Sequence, residues 1–320
     1  MSMMGASALG QAAPVKLPLS TDLMRTYGVC LSMRSTIKLI KQQYPDLGLE
    51  ADAAQTHWDA VFKVCEDNLD VRLTEKFGDK WVTARPTILQ QGQAARKILQ
   101  DNMTEDLARS VIRETHLRGT TLADSPVRML LLASHPDFMK QPEEEIQRGF
   151  VTPFSTQGHQ KANGVKLNLK VPMSWKAAEG DRPHIVQKWT SDAGHGADII
   201  MVQIGPVSAA LTDQPKEVLF TEDFAREYFG QAKLKISDFK TMKLEARTVG
   251  WVKLDGVLER LDTKIETSGI TCYFLSGENL VAIHLSCFAK EGSGTSESGR
   301  KKMEPLFKSV LNSVVLTGGR

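Results

Sequence analysis

The sequence predicts an α+β protein: an N-terminal all-helical domain followed by an antiparallel sheet sandwiched between helices. Three observations carry this reading. Apolar residues recur at steps of three and four from Leu23 to about Leu132, the period of helices with one buried face. Val165, Leu167, Leu169 and Val171 then alternate with Lys166, Asn168 and Lys170, the period of a half-buried strand. Strand-like segments continue from there to Phe288, and a single amphipathic helix closes the chain.

With 320 residues the chain is long enough for two domains, each with its own core. Forty basic residues against thirty-eight acidic ones give a net charge of +2. That balance argues against a nucleic-acid partner or an anionic membrane surface. No apolar run approaches the roughly 20 residues of a membrane-spanning helix, so no membrane span is expected. The expected organisation is a tail over 1–19, a helical domain over 20–148, a linker and weak first strand over 149–163, and the sheet domain over 164–320.

Met1 to Ala13 is small, apolar and uncharged, and Gly10-Gln11-Ala12 places small residues before Ala13-Pro14. This has the look of a secretory signal that lacks its basic start. The alternative is a disordered tail. A periplasmic or secreted location follows from the first reading, a cytoplasmic one from the second.

The first helix is expected over Asp22–Tyr44 and the second from about Asp52, joined by the turn Pro45-Asp46-Leu47-Gly48 and closed by Gly78. Paired positions in such a hairpin share a constant sum, which places Cys30 and Cys65 at one height on facing apolar stripes. A Cys30–Cys65 disulfide is the pairing expected in an oxidising compartment. Two buried thiols are the alternative. Pro86 fits a first helical position, and Asn102 with Glu105 suggests the cap of another helix ending near Gly119. Ser125-Pro126 opens a short apolar helix that His135-Pro136 breaks, and Pro142-Glu143-Glu144-Glu145 suggests one more.

In the second half, Thr152-Pro153 and Gly158 mark irregular chain. Asn163-Gly164 suggests a tight turn after a weak strand within Thr156–Ala162. Pro172 should end the strand that follows. Further strands are expected at Ile185–Thr190, Ile199–Ile204, Met242–Arg247, Trp251–Leu254, Val257–Ile265, Ile270–Leu275 and Leu280–Phe288. Asp255-Gly256 and Ser268-Gly269 serve as turns, and Thr221 caps a helix carrying Phe224, Tyr228 and Phe229. If Ser276 pairs with Asn279, Cys272 faces Ile283 and Cys287 faces Ser268, so these two cysteines are buried free thiols. Gly292–Gly299 reads as a flexible loop before the closing helix at Met303–Val314.

The segment Leu167-Asn168-Leu169-Lys170-Val171-Pro172-Met173-Ser174-Trp175 resembles the opening strand of the PsbP-like fold family. Leu254-Asp255-Gly256 and the closing Phe307 to Leu316 are similar to that family as well. The resemblance covers about half the chain. It implies an antiparallel sheet between helices in an α/β/α sandwich, and a role in binding partners, with no shared catalytic set. The helical domain resembles no family.

The scan for chemistry leaves little. Gly294-Thr295-Ser296-Glu297-Ser298-Gly299-Arg300-Lys301 is spaced like a phosphate loop, but Arg300 and Lys301 replace the lysine and the hydroxyl. His184 and His195 could meet Asp192, without a metal-binding motif. No catalytic, cofactor-binding or metal-ligating residue is assigned, and no cofactor is expected. The function expected is a non-catalytic binding or adaptor protein of the cell envelope or secreted space, acting through protein–protein interaction with an unidentified partner. The other class is a hydrolase or small-ligand enzyme with its site in the interdomain cleft. Convergent His, Asp or Glu in a deep cleft would favour that class.

Overall fold

The computed structural model describes residues 18–120, 126–207, 215–230, 234–244, 247–260 and 263–317. The export signal read from the first residues therefore lies outside the described residues. The chain is an α+β protein, with an N-terminal helical region followed by two antiparallel sheets and their covering helices.

Two long helices, α1 (Leu19–Gln43) and α2 (Gly48–Phe77), form the expected hairpin across a short 3-10 turn. Near the turn Ile37 and Ile40 meet Ala51 and Ala54; at the far end Leu23 and Tyr27 join Leu69 and Leu73. Gly78 closes α2 at a φ of 54°, a conformation that disfavours side chains. Helix α3 (Asp79–Asn102) begins earlier than expected and runs through Pro86. Trp81 explains the early start: it is buried, and its Nε1 donates to Asp70 on α2. The next helix, α4 (Glu105–Thr120), is capped by Thr104, whose Oγ1 accepts from the Leu107 amide. Asn102, the expected cap, instead donates to the Ile98 carbonyl. Three short helices follow: α5 (Pro126–Ala133), α6 (Pro136–Lys140) and α7 (Glu143–Gln147).

The smaller sheet has the order β1-β2-β10, with β1 Val151–Ser155, β2 Leu167–Pro172 and β10 Val315–Leu316. The strand paired with β2 is thus Val151–Ser155, not Thr156–Ala162. It includes Pro153, expected in irregular chain; an edge strand tolerates a residue that cannot donate. Asn163 and Gly164 do take positive φ, 48° and 79°, but within a longer connection.

The seven-stranded sheet has the order β3-β4-β5-β9-β8-β7-β6, all antiparallel. Its strands are β3 Lys176–Glu179, β4 Ile185–Thr190, β5 Asp198–Pro206, β6 Lys235–Leu244, β7 Arg247–Arg260, β8 Thr263–Ser276 and β9 Asn279–Lys290. Asp255-Gly256 and Ser268-Gly269 are not turns. They lie opposite each other inside β7 and β8, tied by a Ser268 hydroxyl bond to Asp255 at 2.5 Å. Gly269 is there for contact, since a Cβ would meet the Leu285 carbonyl at 2.6 Å. Met242–Arg247 is likewise not one strand, because Leu244 and Arg247 pair across the β6–β7 hairpin.

One face of the large sheet packs against the small sheet and α9 (Thr295–Asn312), with Trp251, Phe274 and Phe307 at its centre. The other is covered in part by α8 (Glu222–Gly230), whose Phe224 and Phe229 pack near Tyr273. Five of the eight residues of the expected Gly292–Gly299 loop are the start of α9. Gly299 allows the close approach, for a Cβ there would already touch the Cys287 side chain at 3.4 Å.

Candidate functional site

The helical region and the large sheet meet at the β4–β5 connection, residues 191–197. Asp192 and Ala193 there take left-handed φ angles of 51° and 53°, a costly state for residues with a Cβ. Three contacts hold them. Nη2 of Arg72 on α2 donates to both Asp192 oxygens, at 2.9 and 3.0 Å. The Ala193 amide donates to the Ser174 carbonyl at 2.8 Å. His195 Nε2 lies 2.9 Å from Asp22 Oδ2 on α1. Gly196 closes the turn tightly, since a Cβ would meet Ser191 Oγ at 2.0 Å.

Ser174 is itself fixed from the other side. Its amide and its hydroxyl donate to the two oxygens of Glu145 on α7, each at 2.6 Å. Glu145 is buried, and burial pushes its carboxyl up to about 7 despite the bonds from Ser174 and Met173. Asp198, at the start of β5, is also raised by burial, against the pull of a Cys287 bond and of Lys302. Between these groups lies a cavity of about 220 Å³, bordered by Arg72, Glu145, Ser174, Ser191, Asp198 and Lys302.

Glu145, Asp192 and Asp198 all line this cavity, the kind of convergence that would favour the enzyme class. Yet most of the polar groups are spent on one another. Arg72 Nη1 is held by Ser134 and the Ala133 carbonyl, and Nη2 by Asp192. Ser174 gives both of its donors to one carboxyl, which leaves it no amide to stabilise an oxyanion.

The sequence-derived candidates lie as follows. Cys30 and Cys65 are buried thiols on α1 and α2 in one apolar cluster with Trp58, Phe62 and Leu69. Burial pushes both thiols far above the ordinary range. Cys272 faces Ile283 and Cys287 faces Ser268, in the register expected, and burial raises the Cys272 thiol to about 12. His195 meets Asp22 rather than Asp192, which Arg72 has taken. His184 lies near His284, whose Nδ1 is 2.8 Å from Thr271 Oγ1 and which burial pushes down to about 4. Among the described residues no three His, Cys, Asp or Glu side chains are placed to hold a metal ion. Arg300, at the lysine position of the phosphate-loop spacing, is buried and donates from Nε to Ser268 Oγ at 2.8 Å. It faces the sheet, not a phosphate.

Sequence reasoning missed the Glu145–Ser174 pair. The two are 29 residues apart, and Glu145 sits in a run of three glutamates that reads as a helix start. Its only trace was a serine between Met173 and Trp175, in an otherwise apolar strand end.

No protein family and no curated protein matches the sequence. Solved structures of loose similarity include the following three. LpqN of Mycobacterium tuberculosis, involved in cell envelope biogenesis, is 13% identical with a TM-score of 0.35, over 54% of this chain and 95% of its own. A Pseudomonas aeruginosa protein of unknown function is 12% identical with a TM-score of 0.27, over 53% and 99%. A Bacteroides thetaiotaomicron protein is 9% identical with a TM-score of 0.28, over 48% of this chain. The chain spans 45% of that protein, less than half its length. Similarities this loose carry no argument about function. Among the described residues no helix is long and apolar enough to cross a membrane.

Proposed function

We propose that the chain is a non-catalytic binding or adaptor protein of the cell envelope or secreted space, acting through protein–protein interaction. The observation that supports this is the joint. Arg72, Asp192, His195, Asp22, Glu145 and Ser174 pair with each other across it, so these polar groups serve to fix one region on the other. A cleft so consumed is a rigid seam before it is a reaction centre. The PsbP-like resemblance of the sheet domain points to binding as well, with the helical domain, residues 20–148, as a separately folding unit docked on it. The envelope or secreted location rests on the small, uncharged N-terminal residues and on the expected Cys30–Cys65 pairing.

One observation favours the second reading, a hydrolase. The Ser174 hydroxyl borders a cavity and donates to a carboxyl held at about 7, which is a nucleophile beside a base in form. The test is affinity capture from an envelope fraction run beside turnover screens of the wild type and of Ser174→Ala, His184→Ala, His195→Ala and Arg300→Ala. Recovery of a protein partner with no turnover supports binding; turnover that one of these changes abolishes supports the hydrolase.

A further inference from the structure

The two ends of the large sheet are unequal. At one end β3 is four residues long. At the other, β6 runs for ten, Lys235–Leu244, and among the described residues nothing pairs with its outer edge. Sheets leave such an edge open at the risk of pairing with another chain, unless charge, a bulge or a cover protects it. Here a bulge lies between Ile236 and Asp238, leaving Asp238–Leu244 as a regular seven-residue edge.

The charges on that edge are mostly basic. Lys235, Lys240 and Lys243 are exposed, and Met242 is 38% exposed between the last two. Among the described residues none of the three lysines has a carboxylate partner: Lys240 Nζ lies 5.3 Å from the Trp251 ring, and Lys243 Nζ donates to Thr248 Oγ1 at 2.8 Å. Lys308 on α9 also lies over that ring, at 5.9 Å, but Glu304 already holds its Nζ at 2.9 Å. The one acid of the strand, Asp238, is already paired with Lys253 at 3.5 Å. A second copy would bring three lysines from each chain to one seam, which like-charge repulsion opposes.

We propose that β6 is a docking strand, and that its partner is an extended acidic segment of another protein. The segment adds to the sheet edge through backbone hydrogen bonds over Asp238–Leu244. Lys240 and Lys243 are three apart and so point to opposite faces of the strand. They select acids three apart on the incoming segment, one for each face. This inference rests on the binding reading above and names the surface and the partner's chemistry.

The test uses full-length protein and a labelled peptide, Thr-Glu-Val-Thr-Glu-Val-Thr, capped at both ends. Binding is read by fluorescence anisotropy and by amide shifts in nuclear magnetic resonance. The expected result is saturable binding that shifts the amides of Asp238–Leu244 and weakens with added salt. The affinity should drop about tenfold or more in Lys240→Glu/Lys243→Glu, from the loss of two cross-strand charge pairs and their replacement by repulsion. A lysine-for-glutamate peptide, and the acidic peptide N-methylated at alternate residues, should both fail to bind. Equal binding of the N-methylated peptide would overturn the strand mode, and equal binding of the basic peptide would overturn the selection. Concentration-dependent dimerisation through β6 would overturn the choice of occupant. A protein partner captured in the absence of any effect at β6 sinks this inference and leaves the binding reading intact, whereas hydrolytic turnover lost in Ser174→Ala sinks that reading itself.

Discussion

Arg72 and Asp192 stand 120 residues apart in sequence, and one guanidinium nitrogen of Arg72 reaches both oxygens of the Asp192 carboxylate. The Arg72 side chain is 11% exposed and the Asp192 side chain 25%. Removing one partner leaves the other charge poorly solvated. Arg72→Leu should therefore destabilise the protein by about 1–3 kcal/mol, below the roughly 3–5 kcal/mol of a fully buried broken pair because Asp192 keeps some solvent. Urea denaturation of both proteins checks this, and an unchanged midpoint would contradict the role given to the pair.

Ala193 supplies the opposite sign. A residue with a Cβ in the left-handed region costs roughly 1 kcal/mol, and glycine escapes that cost but gives the unfolded chain more entropy to lose on folding. Ala193→Gly should be neutral or stabilising by up to about 1 kcal/mol, measured in the same experiment. A large loss would mean that the methyl packing against the helical cluster dominates the strain.

Glu145 makes stability depend on pH. Its carboxyl is raised in the folded state from 4.5 to about 7, so between those values the native protein binds more protons than the unfolded chain. Its contribution is greatest at acid pH, falls as pH rises from about 4.5 towards 7, and is flat above. The full span is on the order of 3 kcal/mol. The stability difference between Glu145→Gln and the wild type should move in the variant's favour across that window. Chemical denaturation at pH 5, 6, 7 and 8 reads the trend, and a difference independent of pH would contradict the raised carboxyl.

Cys30 and Cys65 test the compartment. If the chain folds under oxidising conditions, the two pair, and intact-mass counting after denaturation without reductant finds two alkylatable thiols, those of Cys272 and Cys287. Finding four would remove the disulfide and much of the argument for export.

The division near residue 148 also has an outcome. A fragment from Gly149 onwards loses the Glu145 anchor and exposes Met173 and Ala193, which pack on the helical cluster in the full chain. It should still unfold cooperatively, with a lower Tm than the whole protein. A fragment without a melting transition would make the two regions one unit.

How much of this was legible depends on range. The β8–β9 register followed from a local turn, Ser276-Gly277-Glu278-Asn279, because a tight hairpin fixes every pair along its strands. The α1–α2 hairpin was legible for the same reason. Asp255-Gly256 and Ser268-Gly269 misled because a turn composition was serving something else: a hydroxyl–carboxylate bond and a glycine pressed on a neighbouring carbonyl. Lys176–Glu179 is too short and too exposed to leave a periodic signal. The joint was the least legible part. Arg72, Glu145, Ser174 and Asp192 come from four separate elements, and only the packing of those elements makes them neighbours.

The central claim is that the joint holds the two regions together and does no chemistry. The most direct measurement is a hydrolysis screen over ester, peptide and phosphoester substrates, run on the wild type and on Ser174→Ala with folding of both verified by circular dichroism. The two proteins should show the same background rate on every substrate. Turnover by the wild type that disappears in a folded Ser174→Ala protein would contradict it and make Glu145 the base of an active site.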